Sequence, residues 1–277
     1  MTVTDQSEGE LVKLRTAQPG ERTRPRVRVP RGIERLVGVV LFFAIWELAS
    51  RVGWLSPNVL AAPSVVLTAG WDLLRDGTLT AAIWSSLQRV AWGLTIGIPI
   101  GTALALIAGL SRSGDDTIDA TMHMLRFVPI LAVEPLLIVW LGVGEATKVS
   151  LIALGVAFPI YINVSAGVRS IDPGLLELSQ VVRLGRLQEL RRVILPGTVP
   201  GFLLGLRMAL AAAWLLLVFA EQINATSGIG FLASRAQTLF QTDVLVVCLI
   251  VYALLGLSAD AAVRFLERHL LRWQPGR

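Results

Sequence analysis

The sequence predicts an all-α integral membrane protein: six transmembrane helices, interrupted by one charged, helical cytoplasmic loop. Three observations carry this expectation. Hydrophobic residues make up 54% of the chain and charged residues only 16%, with mean hydropathy +0.65, which is too apolar for an ordinary soluble domain. Six apolar stretches lie near the roughly 20 residues that a bilayer requires. Lys and Arg gather at the ends of those stretches, mostly on one side, the asymmetry that orients polytopic proteins.

Composition also excludes. The single cysteine, Cys248, lies in an apolar run, and the two histidines, His123 and His269, are far apart, so no disulfide framework and no Cys/His metal site can be assembled. Neither a metal nor a cofactor is expected. The net charge of +5 sits at the edges of apolar spans and forms no stripe beside aromatics. That placement fits membrane lipid with anionic headgroups and not nucleic acid.

Residues 1–35 read as a disordered basic cytoplasmic tail, with Arg22, Arg24, Arg26, Arg28 and Arg31 crowded around Pro19, Pro25 and Pro30. No apolar run appears before Leu36, so a cleavable signal peptide is not expected and residues 36–55 form the first span. Residues 63–76 are amphipathic and too short to cross, and are expected on a membrane surface. The second span, 90–110, places Gly93, Gly97, Gly101, Ala105 and Gly109 four residues apart, which bares one helix face for close packing. Pro99 should kink it. A polar turn, 111–119, precedes a third span at 125–141, and the short GVGEATK link leads to a fourth at 149–168. A fifth span at 201–220, a short apolar helix at 228–240 and a sixth span at 244–265 follow, all within a transmembrane domain of residues 36–268. Residues 269–277 are a second cytoplasmic tail.

An even number of spans puts both termini on one side. That side, with the 111–119 turn and residues 171–200, holds 20 of the 25 basic residues, leaving Arg51, Arg75, Arg89, Lys148 and Arg235 opposite. The termini and the 171–200 segment are therefore cytoplasmic.

Catalytic signatures are missing: there is no HExxH, no GxSxG and no pair of acidic residues at the spacing of an intramembrane protease. The only lysines, Lys13 and Lys148, follow Val12 and Thr147, so no Walker A loop exists and any ATP hydrolysis belongs to another chain. Ionisable groups inside spans are costly and so informative. Glu134, beside Pro135, either lines a substrate route or is buried in a pair or hydrogen bond. Glu221, closing the fifth span, either lines such a route or clamps it shut, as Glu134 could, or is a solvated helix end. Asn163 either bonds across packed helices or faces a wet cavity. Glu47 and Arg51 read as an interfacial i,i+4 pair. Tryptophans such as Trp46, Trp54, Trp84 and Trp92 read as interface anchors.

The segment 171–200 reads IDPGLLELSQVVRLGRLQELRRVILPGTVP. Asp172 followed by Pro173 is a helix start, a carboxylate cap before a proline that loses no hydrogen bond. Val181, Leu184, Leu187, Leu190 and Ile194 recur every three or four residues, with Arg183, Arg186, Glu189, Arg191 and Arg192 on other faces. Pro196 is expected to close the helix. Periodicity leaves open whether the apolar face meets lipid or a partner protein.

Glu177, followed by Ile194, Leu195 and Pro196 at the end of a 19-residue interval, resembles the EAA loop of permease subunits of binding-protein-dependent ABC importers, of the type I kind. The resemblance covers nearly the whole chain after the tail. WELASRVGWLS, VRSIDPGLLE, VILPG, SGIG, FQTD, YALLG and LERHLLRW are similar to the sulfonate, taurine and nitrate branch, most of all to aliphatic sulfonate permeases. It implies a subunit of the inner membrane that pairs with a second permease subunit, as a homodimer, and works with two ABC ATPase subunits and an extracytoplasmic substrate-binding protein. The loop residues it points to are Glu177, Leu178, Ser179, Arg183, Leu184, Gly185, Leu187, Ile194, Leu195 and Pro196, which would rest in a cleft of the ATPase. Two departures stand out. Leu178 and Ser179 replace the family's alanines, and Arg183 occupies the position of a turn glycine, with Gly185 two residues on. The turn either moves to Gly185 or forces Arg183 into a backbone conformation easy only for glycine.

The implied cargo is a small organic anion, an aliphatic sulfonate, with taurine, nitrate or a vitamin-precursor pyrimidine as variants of the same architecture. A secondary transporter would leave the loop without a purpose and usually shows an internal repeat of spans. A membrane enzyme lacks a catalytic constellation.

Overall fold

The computed structural model describes residues 31–56, 59–111 and 114–271, and the expected tails lie largely outside them. The chain divides into two compact units, one ending at Ala44 and the other beginning at Ile45. The described part of the first is apolar helix, within α1 (Arg31–Arg51), with Phe42 and Phe43 edge to face at 5.5 Å.

In the second unit, Glu47 on the last turns of α1 binds Arg51 at 2.7 Å, as the i,i+4 spacing predicts, and also accepts from the Ser64 hydroxyl at 2.8 Å. Ser64 begins α2 (Pro63–Arg75), the expected short amphipathic helix. Its apolar side packs on α11 (Thr242–Leu270) around Val66 and Val247, and Leu67 and Trp71 on the other side are exposed.

Three long helices form the centre. They are α3 (Thr78–Leu110), α6 (Glu145–Arg169) and α9 (Leu195–Asn224). At 33 residues α3 is about 50 Å long, well beyond a hydrocarbon core of about 30 Å. The glycine stripe faces α6. A Cβ on Gly97 would lie 2.5 Å from the Ala153 carbonyl, and one on Gly101 2.5 Å from that of Ala157. Gly93 lies against Ile152, and a Cβ on Gly109 would lie 2.7 Å from Val168 Cγ1, so α3 and α6 run parallel with a constant register. On its other side α6 meets α9 antiparallel, with Gly201 and Gly205 against Asn163 and Pro159. The result is one apolar core containing Val90, Leu151, Val156, Ile160, Ala213 and Leu217. Of the apolar window of α6, 61% is buried, against 11% for α11, so α6 is the axis of the bundle and α11 lies at its rim.

Two spans differ from expectation. The third is not continuous: Thr117–Leu125 and Ile130–Leu141 are bent by 93°. The break falls at Pro129, which lacks an N–H and disfavours helix in the residue before it. Beyond the break a short 3₁₀ turn, Ile130–Val133, leads into α5 (Glu134–Leu141), and before it α4 (Ala120–Leu125) follows a π turn at Asp115–Asp119. The fifth span begins earlier than its apolarity suggests. Helix is continuous over Arg186–Ile223, so Pro196 does not close it. A π-helical stretch, Leu190–Ile194, precedes Pro196, so the missing N–H falls where the hydrogen-bond ladder already changes from π to α. The last helices are α10 (Ile229–Thr238) and α11. Among the described residues four helices are long and apolar enough to cross a membrane, and five if the bent pair is one span.

Candidate functional site

The 171–200 segment is a helical hairpin. Asp172 accepts from the Gly174 N–H at 2.8 Å and starts α7 (Pro173–Val181). It ends in a Schellman arrangement, with Arg183 N–H donating to the Gln180 carbonyl and Leu184 N–H to that of Ser179, both at 2.9 Å. Arg183 has φ +55°, while Gly185 has φ −67° and extended backbone, so the turn is at Arg183. An arginine thus occupies the left-handed position that glycine fills most easily, at a cost of about 1 kcal/mol. The chain then re-enters helix at α8 (Arg186–Glu189).

This overturns a single helix from Pro173 to Pro196. The periodic apolar set shares no face: Val181 and Leu187 are exposed, Leu184 and Leu190 half-buried, and Ile194 buried. Ser179 is buried and donates to Glu189 Oε1 at 2.8 Å, which ties α7 to α8 across the turn. The departure from alanine at that position therefore supplies a cross-link. Glu177 is exposed, and Leu175, Leu178, Val181, Val182 and Leu187 present apolar surface around it.

At the opposite end of α6 and α9 is a charged network that holds one of the three candidate route residues. Glu221 is fully buried, so it is not a solvated helix end. Its Oε1 takes the Arg89 guanidinium at 2.5 Å, and its Oε2 accepts from the Gly230 N–H at 2.8 Å and the Tyr252 hydroxyl at 3.3 Å. Ser86 Oγ donates to the same carboxylate and accepts from the Ile229 N–H at 2.9 Å. Arg89 uses all five of its donors. Nε and Nη2 bind the two oxygens of Glu145 at 2.6 and 2.8 Å, Nη1 binds Glu221 and the Ser227 carbonyl, and Nη2 binds Ser227 Oγ at 2.9 Å. Lys148 Nζ meets Glu145 Oε1 at 2.9 Å. Two cations and two carboxylates from α3, α6 and α9 thus balance each other. The SGIG segment explains itself here: Gly228, at φ +112°, lies against Glu221 and Arg89, where any Cβ would collide.

The other two candidates lie apart, and among the described residues no hydrogen bond or ion pair joins any two of the three. Glu134 is 4% exposed at the start of α5, with no ion-pair partner among the described residues. The Asn163 amide donates to the Pro159 carbonyl at 2.8 Å and approaches Met208 Sδ at 3.5 Å, within the α6–α9 contact. His123 lies 3.4 Å from Asp119, which also binds Arg169 and the Tyr161 hydroxyl.

A cavity of about 370 Å³ opens beside the network, lined by Ser85, Gln88, Arg89, Trp92, Glu145, Val149 and Ser227. The sequence marks Arg89 and Lys148 only as charges flanking spans and does not single out Glu145. The sequence carries part of the signal, because Arg89 begins the second predicted span and Glu221 ends the fifth, on the same predicted side.

The fold and these sites define a polytopic helical subunit with a polar network at one end and a helical hairpin at the other. The chain belongs to the family of binding-protein-dependent transport system inner membrane components, whose model matches residues 97–272. It is thus a multi-pass permease component of an ABC importer and not an enzyme. It is 48% identical over 243 residues to the putative aliphatic sulfonates transport permease protein SsuC of Escherichia coli (strain K12), covering 86% of this chain and 90% of that one. The protein of the same description from Bacillus subtilis (strain 168) is 38% identical, covering 84% and 85%. The taurine transport system permease protein TauC of Escherichia coli (strain K12) is 32% identical, covering 91% and 94%. Among solved structures, a bacterial ABC transporter involved in the import of the acidic polysaccharide alginate shares the fold, with TM-score 0.61 at 18% identity over 86% of this chain and 94% of that one.

Proposed function

We propose that this chain forms, as a homodimer, the membrane route of an importer for aliphatic sulfonates. Two copies would pair with two ATPase subunits on the cytoplasmic side, and a separate binding protein would deliver the anion outside. The observation that carries the substrate class is the 48% identity, over 90% of its length, to a permease described as transporting aliphatic sulfonates. The distribution of basic residues supports cytoplasmic termini and a cytoplasmic 171–200 hairpin. The exposed apolar surface around Glu177 supports that hairpin as the face that meets the ATPase. ATP-driven closure of the ATPases would push the hairpin, and the rigid helix from Arg186 to Ile223 would carry the movement toward Glu221. Glu134 and Asn163 belong in this reading to the wall of the route.

Proteoliposomes containing the permease and its ATPase, supplied with the binding protein, test it. ATP-dependent uptake of ethanesulfonate that excess butanesulfonate suppresses is the expected result. Uptake of nitrate or a pyrimidine without ethanesulfonate would assign a different cargo.

A further inference from the structure

The network at the outer end of α3 and α6 is built as an anion site that already holds a carboxylate. Arg89 and Lys148 are each 4% exposed, yet both direct donors to Glu145, whose side chain is 59% exposed. Glu221 is different: it is enclosed by Ser86, Gly230 and Tyr252 and cannot leave without stranding buried donors. One carboxylate is therefore fixed and the other is displaceable. Glu145 also forms part of the wall of the 370 Å³ cavity, whose size suits a small-molecule site of about 300–1,000 Å³.

We propose that Glu145 is a built-in placeholder, and that the sulfonate group of a passing organic anion takes its position on Arg89 and Lys148. With Glu145 in place the four charges cancel. When its exposed carboxylate turns into water, Arg89 is still balanced by Glu221 and Lys148 is uncompensated, so the site carries a net positive charge. A sulfonate offers oxygens at the spacing that the Nε and Nη2 donors already serve, which permits the same forked contact. Ser85, Gln88 and Ser227 supply further polar groups, and Trp92 and Val149 line the space for a short alkyl chain. The exchange puts one anion in the place of another on the same two cations, and Glu145 can return to release it, so the anion is held without being trapped.

This inference rests on the organic-anion reading of the importer, and one experiment separates the two. The complete permease–ATPase complex in nanodiscs, without binding protein, is titrated with ethanesulfonate by calorimetry at ionic strength fixed with sodium chloride. Glu145→Gln removes the competing charge and should tighten binding about tenfold relative to the unaltered complex. Adding Lys148→Met to that variant should weaken it again by about tenfold or more. If Glu145→Gln binds no tighter, or Lys148→Met leaves the tightened affinity intact, the placeholder is wrong. Should Glu145→Gln fail to assemble, Lys148→Met alone must still weaken binding of ethanesulfonate, and unchanged affinity overturns the site. ATP-driven uptake by the unaltered importer tests the transport reading independently: uptake without tighter binding rejects only the site, and tighter binding without uptake rejects only the importer's cargo.

Discussion

Arg89 Nη1 lies 2.5 Å from Glu221 Oε1, an ion pair between residues 132 positions apart in which neither side chain is more than 4% exposed. It locks α3 to α9 and, through Glu145, to α6. Buried pairs of this kind contribute little net stability while both members are present, and cost much when one is lost.

Arg89→Ala should therefore destabilise the permease by about 3–5 kcal/mol, because Glu221 is left buried without its countercharge. Thermal unfolding of the purified complex measures it. Changing both residues to apolar ones of similar size should recover much of that loss, and a double variant as unstable as Arg89→Ala would contradict the pairing.

Helix packing makes a second case. Gly97→Ala places a methyl group 2.5 Å from the Ala153 carbonyl, a backbone atom that cannot move aside, so α3 and α6 must separate. A loss of about 1–3 kcal/mol is expected, as for other overpacked cores. Gly256→Ala is the control, since a Cβ there meets nothing within 4 Å. Equal effects of the two on unfolding temperature would count against the close approach.

In the hairpin, Arg183→Gly should stabilise the turn by about 1 kcal/mol, by removing the left-handed penalty on a side-chain-bearing residue. Gly185→Ala should be nearly silent, because Gly185 has φ −67° and open space around its Cα. Amide hydrogen exchange at Leu184, which donates across the turn, reports both. Slower exchange in Arg183→Gly is the expected outcome, and faster exchange would place the turn elsewhere.

Docking of the ATPase gives a fourth. Leu178→Asp with Leu187→Asp charges two exposed side chains on opposite arms of the hairpin, so folding should be spared and co-purification of the ATPase lost. Retained co-purification would move the docking surface away from the hairpin. Leu184 is a poorer choice, being half-buried, because its loss would confuse folding with docking.

Much of the architecture was legible from apolarity and spacing. The glycine stripe of the second span named the face that meets α6, because a helix face without side chains has one physical use, close approach. Asp172 and Pro173 marked a helix start that the Gly174 bond realises. Apolarity misjudged backbone continuity, since it reports what solvent a segment prefers and not whether its axis is straight. Thus Pro129 breaks a span that reads as continuous, and Pro196 leaves intact a helix that reads as closed.

The site divides in the same way. The sequence by itself determined the solvent, the family and the position of the hairpin, because these follow from local composition and from motifs within one segment. Only the tertiary structure decided that Arg89, Glu145, Lys148 and Glu221 form one network, and that Arg183 carries the turn. Charges inside a membrane protein acquire meaning from their partners: Lys148 finds Glu145 one turn away on α6, but Arg89 and Glu221 find theirs only when three helices far apart in sequence pack.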